Sequence, residues 1–376
     1  MLMIYKAKYL ARLFFYYNQV GSILVDRLFF KKKFPLLLHI RITTKCNLSC
    51  PFCYLKEGLN QNEENLLTIL EWKKILSNIP RTTIIDITGA EPMMAKDIDQ
   101  FISLLSERGF KFSLTTNGTV YNSYLISQLV DSSLKYLMVS LDGFESMHNS
   151  FRGESKNAFK KTIKFLNEFN KQKNLKNKKI HLNIKIMLLE KNIDEIVPLI
   201  KYLEETIEPN SITINLPFKN EARGGLKLSQ SLEEKNLLSG NNFVFKGLKN
   251  MEQKLIKLKR DLRQISTPVA IKPYTSWNDI IGYFTNNKKI KSNGCSLYKN
   301  NLTLYYNGDV TPCDISYKLK NIRELDYNLS SLYTKKRFKI FKQYMKASDK
   351  KICEGCIQSS QSIKKDFNSG TTSRID

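Results

Sequence analysis

The sequence predicts an α/β protein whose parallel sheet is wound as a partial barrel of six βα units. Two observations predict it. From about residue 35, short β-branched runs alternate with stretches of helical period, which is the pattern of βαβ units wound in the right-handed sense. The residue groups that carry chemistry also fall just after successive strand candidates, where a parallel barrel keeps its active site.

Strands are expected at 35–43, 82–88, 110–115, 135–141, 180–188 and 211–216, with amphipathic helices near 66–79, 96–108, 121–131, 155–172 and 192–206. Residues 1–34 form an N-terminal helical extension, and 35–217 the core. Residues 218–290 read as a connector that covers the barrel mouth, with a Gly-rich turn at Arg223-Gly224-Gly225, a Lys-rich helical stretch near 245–263 and an irregular segment around Pro268 and Pro273. A small C-terminal hairpin-plus-helix unit follows over 291–367. Its hairpin has Leu302–Tyr306 and Val310–Thr311 flanking Asn307-Gly308, a favoured tight-turn pair. The polar residues 368–376 are expected to be disordered.

Composition narrows the function. An apolar fraction of 42% is that of a globular chain, and no apolar run approaches the ~20 residues of a membrane span. Lys6 and Arg12 interrupt the first apolar stretch and there is no small-residue cleavage site, so a cytoplasmic location is expected. The net charge of +25 is carried mostly by Lys, much of it between Lys156 and Lys191. Lys on outer helix faces is a solvated surface, so no nucleic acid is expected as partner. Residues 1–34 intersperse Phe14, Phe15, Tyr16, Tyr17, Phe29 and Phe30 with Lys6, Arg12, Arg27 and the run Lys31-Lys32-Lys33. Helices packed on the outer barrel wall give that pattern, and so does peripheral contact with an anionic membrane face.

The seven cysteines are grouped: Cys46-x3-Cys50-x2-Cys53, then Cys295, Cys313, Cys353 and Cys356. In a reducing compartment such spacings mean metal rather than disulfides. Three thiolates can hold a 4Fe–4S cluster while leaving one iron open to a small chelating molecule. Zinc wants four closed ligands, and no fourth Cys or His lies close in sequence to this trio. Phe52 and Tyr54 flank Cys53 and offer an adenine ring a flat contact. Four thiolates in the second group can close every iron of another cluster, although a zinc ribbon also uses four. His39 and His181, on strands, read as packed or hydrogen-bonded histidines.

Cys46-x3-Cys50-x-Phe52-Cys53-Tyr54 resembles the signature of the radical S-adenosylmethionine (SAM) superfamily. Gly89-Ala90-Glu91-Pro92 looks like that family's Gly-Gly-Glu-Pro turn, with Ala in place of the second Gly, a change the backbone tolerates outside the left-handed region. The resemblance implies that this turn, with Glu91, binds the methionyl amino group. It also implies that Asn117, after strand three, and Ser140 and Asp142, closing strand four, belong to the SAM site, and that Arg152 of His148-x3-Arg152-Gly153 pairs with the SAM carboxylate. The fold implied is the partial (β/α)6 radical SAM barrel over roughly 35–217. Cys295-x12-Gly308-x4-Cys313 with Cys353-x2-Cys356 resembles the shortened SPASM domain called Twitch, which implies one auxiliary 4Fe–4S cluster. Asp314, after Cys313, matches a base of sulfatase-maturing enzymes.

The implied activity is one-electron cleavage of SAM to methionine and a 5′-deoxyadenosyl radical, which abstracts a substrate hydrogen. With an auxiliary cluster nearby, the expected outcome is a two-electron oxidation by a dehydrogenase-type oxidoreductase acting on a sugar or small metabolite. The alternative is a peptide-modifying maturase, against which stands the shortness of residues 1–34 as a peptide-binding domain. A non-catalytic Fe–S or nucleic-acid-binding protein leaves the SAM motifs unexplained. The resemblance also implies an external one-electron donor such as flavodoxin or ferredoxin.

Overall fold

The protein is described from a computed structural model, which describes residues 34–35, 37–53, 55, 58–153, 155–217, 250–272, 275–285, 301–312 and 318–332. The expectations for residues 1–33, the Gly-rich turn, Tyr54, Asp314, Cys295, Cys313, Cys353, Cys356 and the tail lie outside these.

Six strands stand in chain order, each parallel to the next: β1 (Leu37–Arg41), β2 (Ile84–Thr88), β3 (Phe112–Thr116), β4 (Leu134–Ser140), β5 (His181–Met187) and β6 (Ser211–Asn215). Between them run α1 (Ile69–Ser77), α2 (Ile98–Glu107), α3 (Ser123–Asp131), α4 (Glu145–Phe151), α5 (Ala158–Leu175) and α6 (Ile196–Thr206). This is the α/β parallel architecture that the sequence predicts. Side chains alternate across each strand. Ile40, Ile87, Leu114, Val139, Ile184 and Ile214 point one way and are fully buried in the core shared with the helices. Each such burial is worth roughly 1.5–3 kcal/mol. Trp72 of α1 and Phe101 of α2 meet in that layer with ring centroids 4.7 Å apart. The opposite face is polar, carrying Arg41, Thr88, Thr115, Ser140, Lys185 and Asn215 toward a common cavity.

The sheet extends further than six strands. After α7 (Met251–Leu262), β7 (Val269–Lys272) adds in parallel beside β6, followed by α8 (Trp277–Thr285). The sequence reading treated this stretch as irregular because Pro268 and Pro273 bound it. At a sheet edge Pro268 does not have to donate to the ladder: Ile212 N donates to its carbonyl at 2.9 Å, and Leu216 N donates to Lys272 O at 2.9 Å.

At the other end, β8 (Asn301–Tyr305) pairs in parallel with β1, and β9 (Asp309–Thr311) and β10 (Lys320–Asn321) follow antiparallel. The expected hairpin is therefore continuous with the barrel, in one sheet of order β10-β9-β8-β1-β2-β3-β4-β5-β6-β7. Gly308 sits at the turn with φ +89°, and a Cβ there would come within 2.9 Å of Asn321 Oδ1. Just beyond β10, Arg323 donates to Glu71 of α1 at 2.6 and 3.2 Å and to Asn307 O at 2.9 Å. Burial opposes ionisation of Glu71, but hydrogen bonds from Arg323 and Thr68 outweigh it and hold the carboxyl down to about 2. Among the described residues, no helix is long and apolar enough to cross a membrane.

Candidate active site

The cysteine loop leaves the C-terminal end of β1 and is pinned from three sides. Asn60 brackets Cys46, accepting from its N at 2.9 Å and donating to its O at 3.0 Å. Glu63 accepts from the Thr43 hydroxyl at 2.6 Å and from Thr44 N. The turn after β2 is stitched to the same loop, with Ala90 N donating to Thr43 O at 3.1 Å and Glu91 N to Lys45 O at 2.8 Å. Ala90 lies outside the left-handed region, so the missing glycine costs this turn nothing.

Glu91 is fully buried, and its carboxylate accepts from the Thr116 hydroxyl at 2.6 Å, Asn117 N at 2.7 Å and Met93 N at 3.1 Å. Burial pushes its pKa up against those donors. Glu91 thereby ties the turn after β2 to the end of β3. Asn117 continues the tie: its amide donates to Asn47 Oδ1 at 3.1 Å and lies 3.9 Å from Cys46 Sγ.

Asp142, beyond β4, accepts from Met187 N at 2.8 Å and pairs with Arg152 at 2.5 Å. Burial pushes the Asp142 carboxyl up, with Arg152 pulling the other way. Arg152 also reaches Cys50 Sγ at 3.6 Å. The guanidinium expected to meet the SAM carboxylate is thus already held between Asp142 and Cys50. His148 accepts from Asp142 N at 3.1 Å through Nδ1, which places its proton on Nε2. Burial keeps the ring neutral, well below the usual histidine range. Gly153 (φ +80°) packs so closely on the cysteine loop that a Cβ would stand 2.2 Å from Ser49 Oγ.

These pieces surround one cavity of about 330 Å³. The sequence-predicted Cys46, Cys50, Cys53, Phe52, Gly89, Ala90, Asn117, Ser140, Asp142 and Arg152 all line it, while Glu91 and Pro92 stand behind the wall as supports. Burial pushes the Cys46 and Cys53 thiols up to about 11. Thiols in such a place ionise when a cation binds them. Among the described residues no three metal-ligating side chains converge on a single ion. A cluster asks less of them, because each cysteine holds a different iron and all three sulfurs need only face one cavity. N–H donors to sulfur from Leu48 at 3.4 Å and Arg152 at 3.6 Å complete a donor set that fits a thiolate-held cluster.

Three charged cavity residues are not named by the sequence motifs: Arg41, Lys185 and Lys272. The signal was present, since each is a cation within a strand whose alternate residues are apolar. His39 and His181 are satisfied as expected, by Asp86 at 2.9 Å and Ser211 at 2.7 Å.

Fold and cavity define a parallel barrel with three cysteine thiols facing one cavity at its mouth. Residues 40–203 match the Radical SAM superfamily, and residues 295–357 match the SPASM iron–sulfur cluster-binding domain. The chain therefore carries a radical SAM domain followed by a SPASM domain, a pairing that brings SAM, a SAM-binding 4Fe–4S cluster and an auxiliary 4Fe–4S cluster. It is similar to Fe-coproporphyrin III synthase of Methanosarcina barkeri, 27% identical over 208 residues, 55% of this chain and 50% of that protein. It is also similar to PqqA peptide cyclase of Bradyrhizobium diazoefficiens, 30% identical over 113 residues, 30% of each chain. The chain thus spans half or less of the length of these relatives. In fold it resembles Streptococcus suis SuiB bound to its precursor peptide SuiA, with TM-score 0.59, 18% identity, and 91% of this chain and 73% of that one covered.

Proposed function

We propose that this protein is a radical SAM enzyme that modifies a peptide. The observation that carries the reading is the pairing of a radical SAM domain with a SPASM domain, in a chain similar to a peptide cyclase. The fold shared with SuiB, seen with a precursor peptide, is consistent with it. The dehydrogenase expected from the sequence is the weaker reading, because the relatives named above are a synthase and a peptide cyclase. The brevity of residues 1–34 does not weigh against a peptide, since an extended segment can enter a barrel mouth without a docking domain of its own.

In this reading Cys46, Cys50 and Cys53 hold the SAM-binding cluster. When bound, SAM and this cluster supply a 5′-deoxyadenosyl radical that removes a hydrogen atom from an unactivated C–H bond. The backbone of Gly89 to Pro92 and the side chains of Asn117, Ser140 and Asp142 shape the SAM wall, with Phe52 and Tyr54 against the adenine. Glu91 and Arg152 hold that wall rigid through the bonds described above, so little reorganisation is needed when SAM arrives. Cys295, Cys313, Cys353 and Cys356 would supply the ligands of one auxiliary cluster of the Twitch kind, and Asp314 would serve as a base.

The test uses anaerobically reconstituted protein, SAM, a reductant and a library of deuterated short peptides, with deuterated sugar alcohols in parallel. The expected result is peptide-dependent 5′-deoxyadenosine that carries deuterium from the peptide. Deuterium arriving from sugar alcohols, and not from any peptide, would return the protein to the dehydrogenase reading.

A further inference from the structure

We infer that Arg152 raises the reduction potential of the cluster held by Cys46, Cys50 and Cys53, by resting its guanidinium against the Cys50 sulfur. It is then a positioning residue for electron entry and not a ligand of the coenzyme. The inference rests on those three cysteines holding a cluster, and not on the nature of the substrate.

The backbone delivers the guanidinium to this place. Arg152 closes α4, its N donating to His148 O at 3.0 Å. Gly153, with φ +80°, is pressed onto Ser49, between Cys46 and Cys50, and any larger residue there would push the two segments apart. The side chain is buried and held on three sides. Nη1 reaches Cys50 Sγ at 3.6 Å and Nη2 pairs with Asp142 at 2.5 Å. The ring of Phe52, from the cysteine loop, faces the guanidinium at 5.8 Å and is itself met edge-on by Phe151 at 5.9 Å. Three fixed partners leave the fork little freedom to turn toward an incoming carboxylate.

What the charge does follows from its place. Three thiolates give the cluster a net negative charge, and uptake of one electron from the external donor makes it more negative. A cation fixed at a sulfur therefore stabilises the reduced form more than the oxidised one, and in a buried site solvent screens it little. Asp142 opposes this field, but it binds the other arm of the guanidinium and is anchored to Met187 N at 2.8 Å. The ion pair thus turns its positive end toward sulfur. Arg41 also acts on Cys53, and Glu91 acts on Cys46 with the opposite sign, but neither charge shares the contact of Arg152 with Cys50.

The experiment is a redox titration of anaerobically reconstituted full-length protein, reading the reduced cluster by electron paramagnetic resonance. The variant with Cys46, Cys50 and Cys53 changed to Ala supplies the auxiliary signal to be subtracted. Arg152→Met should lower the midpoint by about 59 mV or more, a tenfold loss in the ratio of reduced to oxidised cluster at a fixed potential. Arg152→Lys, which keeps the charge, should recover part of that shift, a rescue that a purely packing role would not give. Asp142→Asn, which removes the opposing charge, should move the midpoint upward. Should Arg152→Met hold no iron, Asp142→Asn still decides, and a midpoint there that stays or falls overturns the inference. A midpoint unmoved by Arg152→Met also overturns it, and a loss of SAM affinity alongside would give the guanidinium to the coenzyme's carboxylate. Failure of the cluster reading itself is seen separately, as wild type that holds no more iron than the triple cysteine variant.

Discussion

The two sides of the barrel cavity are built on opposite principles. On the side of β1 to β4, the buried acids and amide of the wall are answered by the protein itself: Glu91 by three donors, Asn117 by Asn47 and Thr119, Asp142 by Arg152 and Met187. On the side of β5 to β7, Lys185 carries a charge that burial makes costly. The first arrangement suits a ligand that never varies, since a network closed in advance spends little on reorganisation. The second keeps a buried cation at a cost to the free fold that Asp86 only partly offsets.

The sharpest break falls on the closed side. Glu91→Ala strands the donors of Thr116, Asn117 and Met93 in a buried place, so unfolding free energy should drop by roughly 3–5 kcal/mol. Denaturant melts would check it, and a change under ~1 kcal/mol would mean that the network is not closed.

The open side should respond with the opposite sign. Lys185→Met is expected to stabilise the free protein by on the order of 1–3 kcal/mol at neutral pH. The pKa of Lys185 is lowered from 10.5 to about 8, so its cost is fully present below about pH 8. Between the two values the unfolded chain holds the extra proton, and wild-type stability rises with pH. The gain from Lys185→Met should therefore shrink from pH 8 toward 10.5. Thermal melts across that range would read it, and a destabilised variant at pH 7 would contradict the picture of a strained wall.

A smaller effect concerns the junction of hairpin and barrel. Arg323→Met should cost about 1–2 kcal/mol by releasing Glu71. Glu71 is held from its ordinary 4.5 down to about 2, so the ion pair contributes above about pH 4.5 and is lost as pH falls toward 2. The gap between wild type and variant, followed by urea melts, should close over that interval.

Much of the closed side was legible in the sequence, since its residues sit in ordered motifs after successive strands and backbone chemistry dictates their spacing. All six strands were placed to within a few residues because β-branched runs alternate with helical periods. The seventh strand was hidden by Pro268 and Pro273 in the sequence; Pro268 costs nothing at an edge where its carbonyl does the pairing. The attachment of β8 to β1 was equally hidden, because a hairpin motif states its local turn and not the strand it will join. Arg41, Lys185 and Lys272 share no spacing in sequence, and only the barrel brings them to one cavity. The Arg152 assignment shows the complementary limit: the motif names the residue, while its partners, Asp142 and Cys50, depend on packing.

The claim on which everything rests is that Cys46, Cys50 and Cys53 carry the cluster that cleaves SAM. The direct measurement is iron content and 5′-deoxyadenosine formation in anaerobically reconstituted protein, wild type against the variant with all three cysteines changed to Ala. Two cubane clusters predict about eight irons in wild type and about four in the variant, with SAM cleavage lost. A variant that still forms 5′-deoxyadenosine, or that keeps all its iron, would contradict the account.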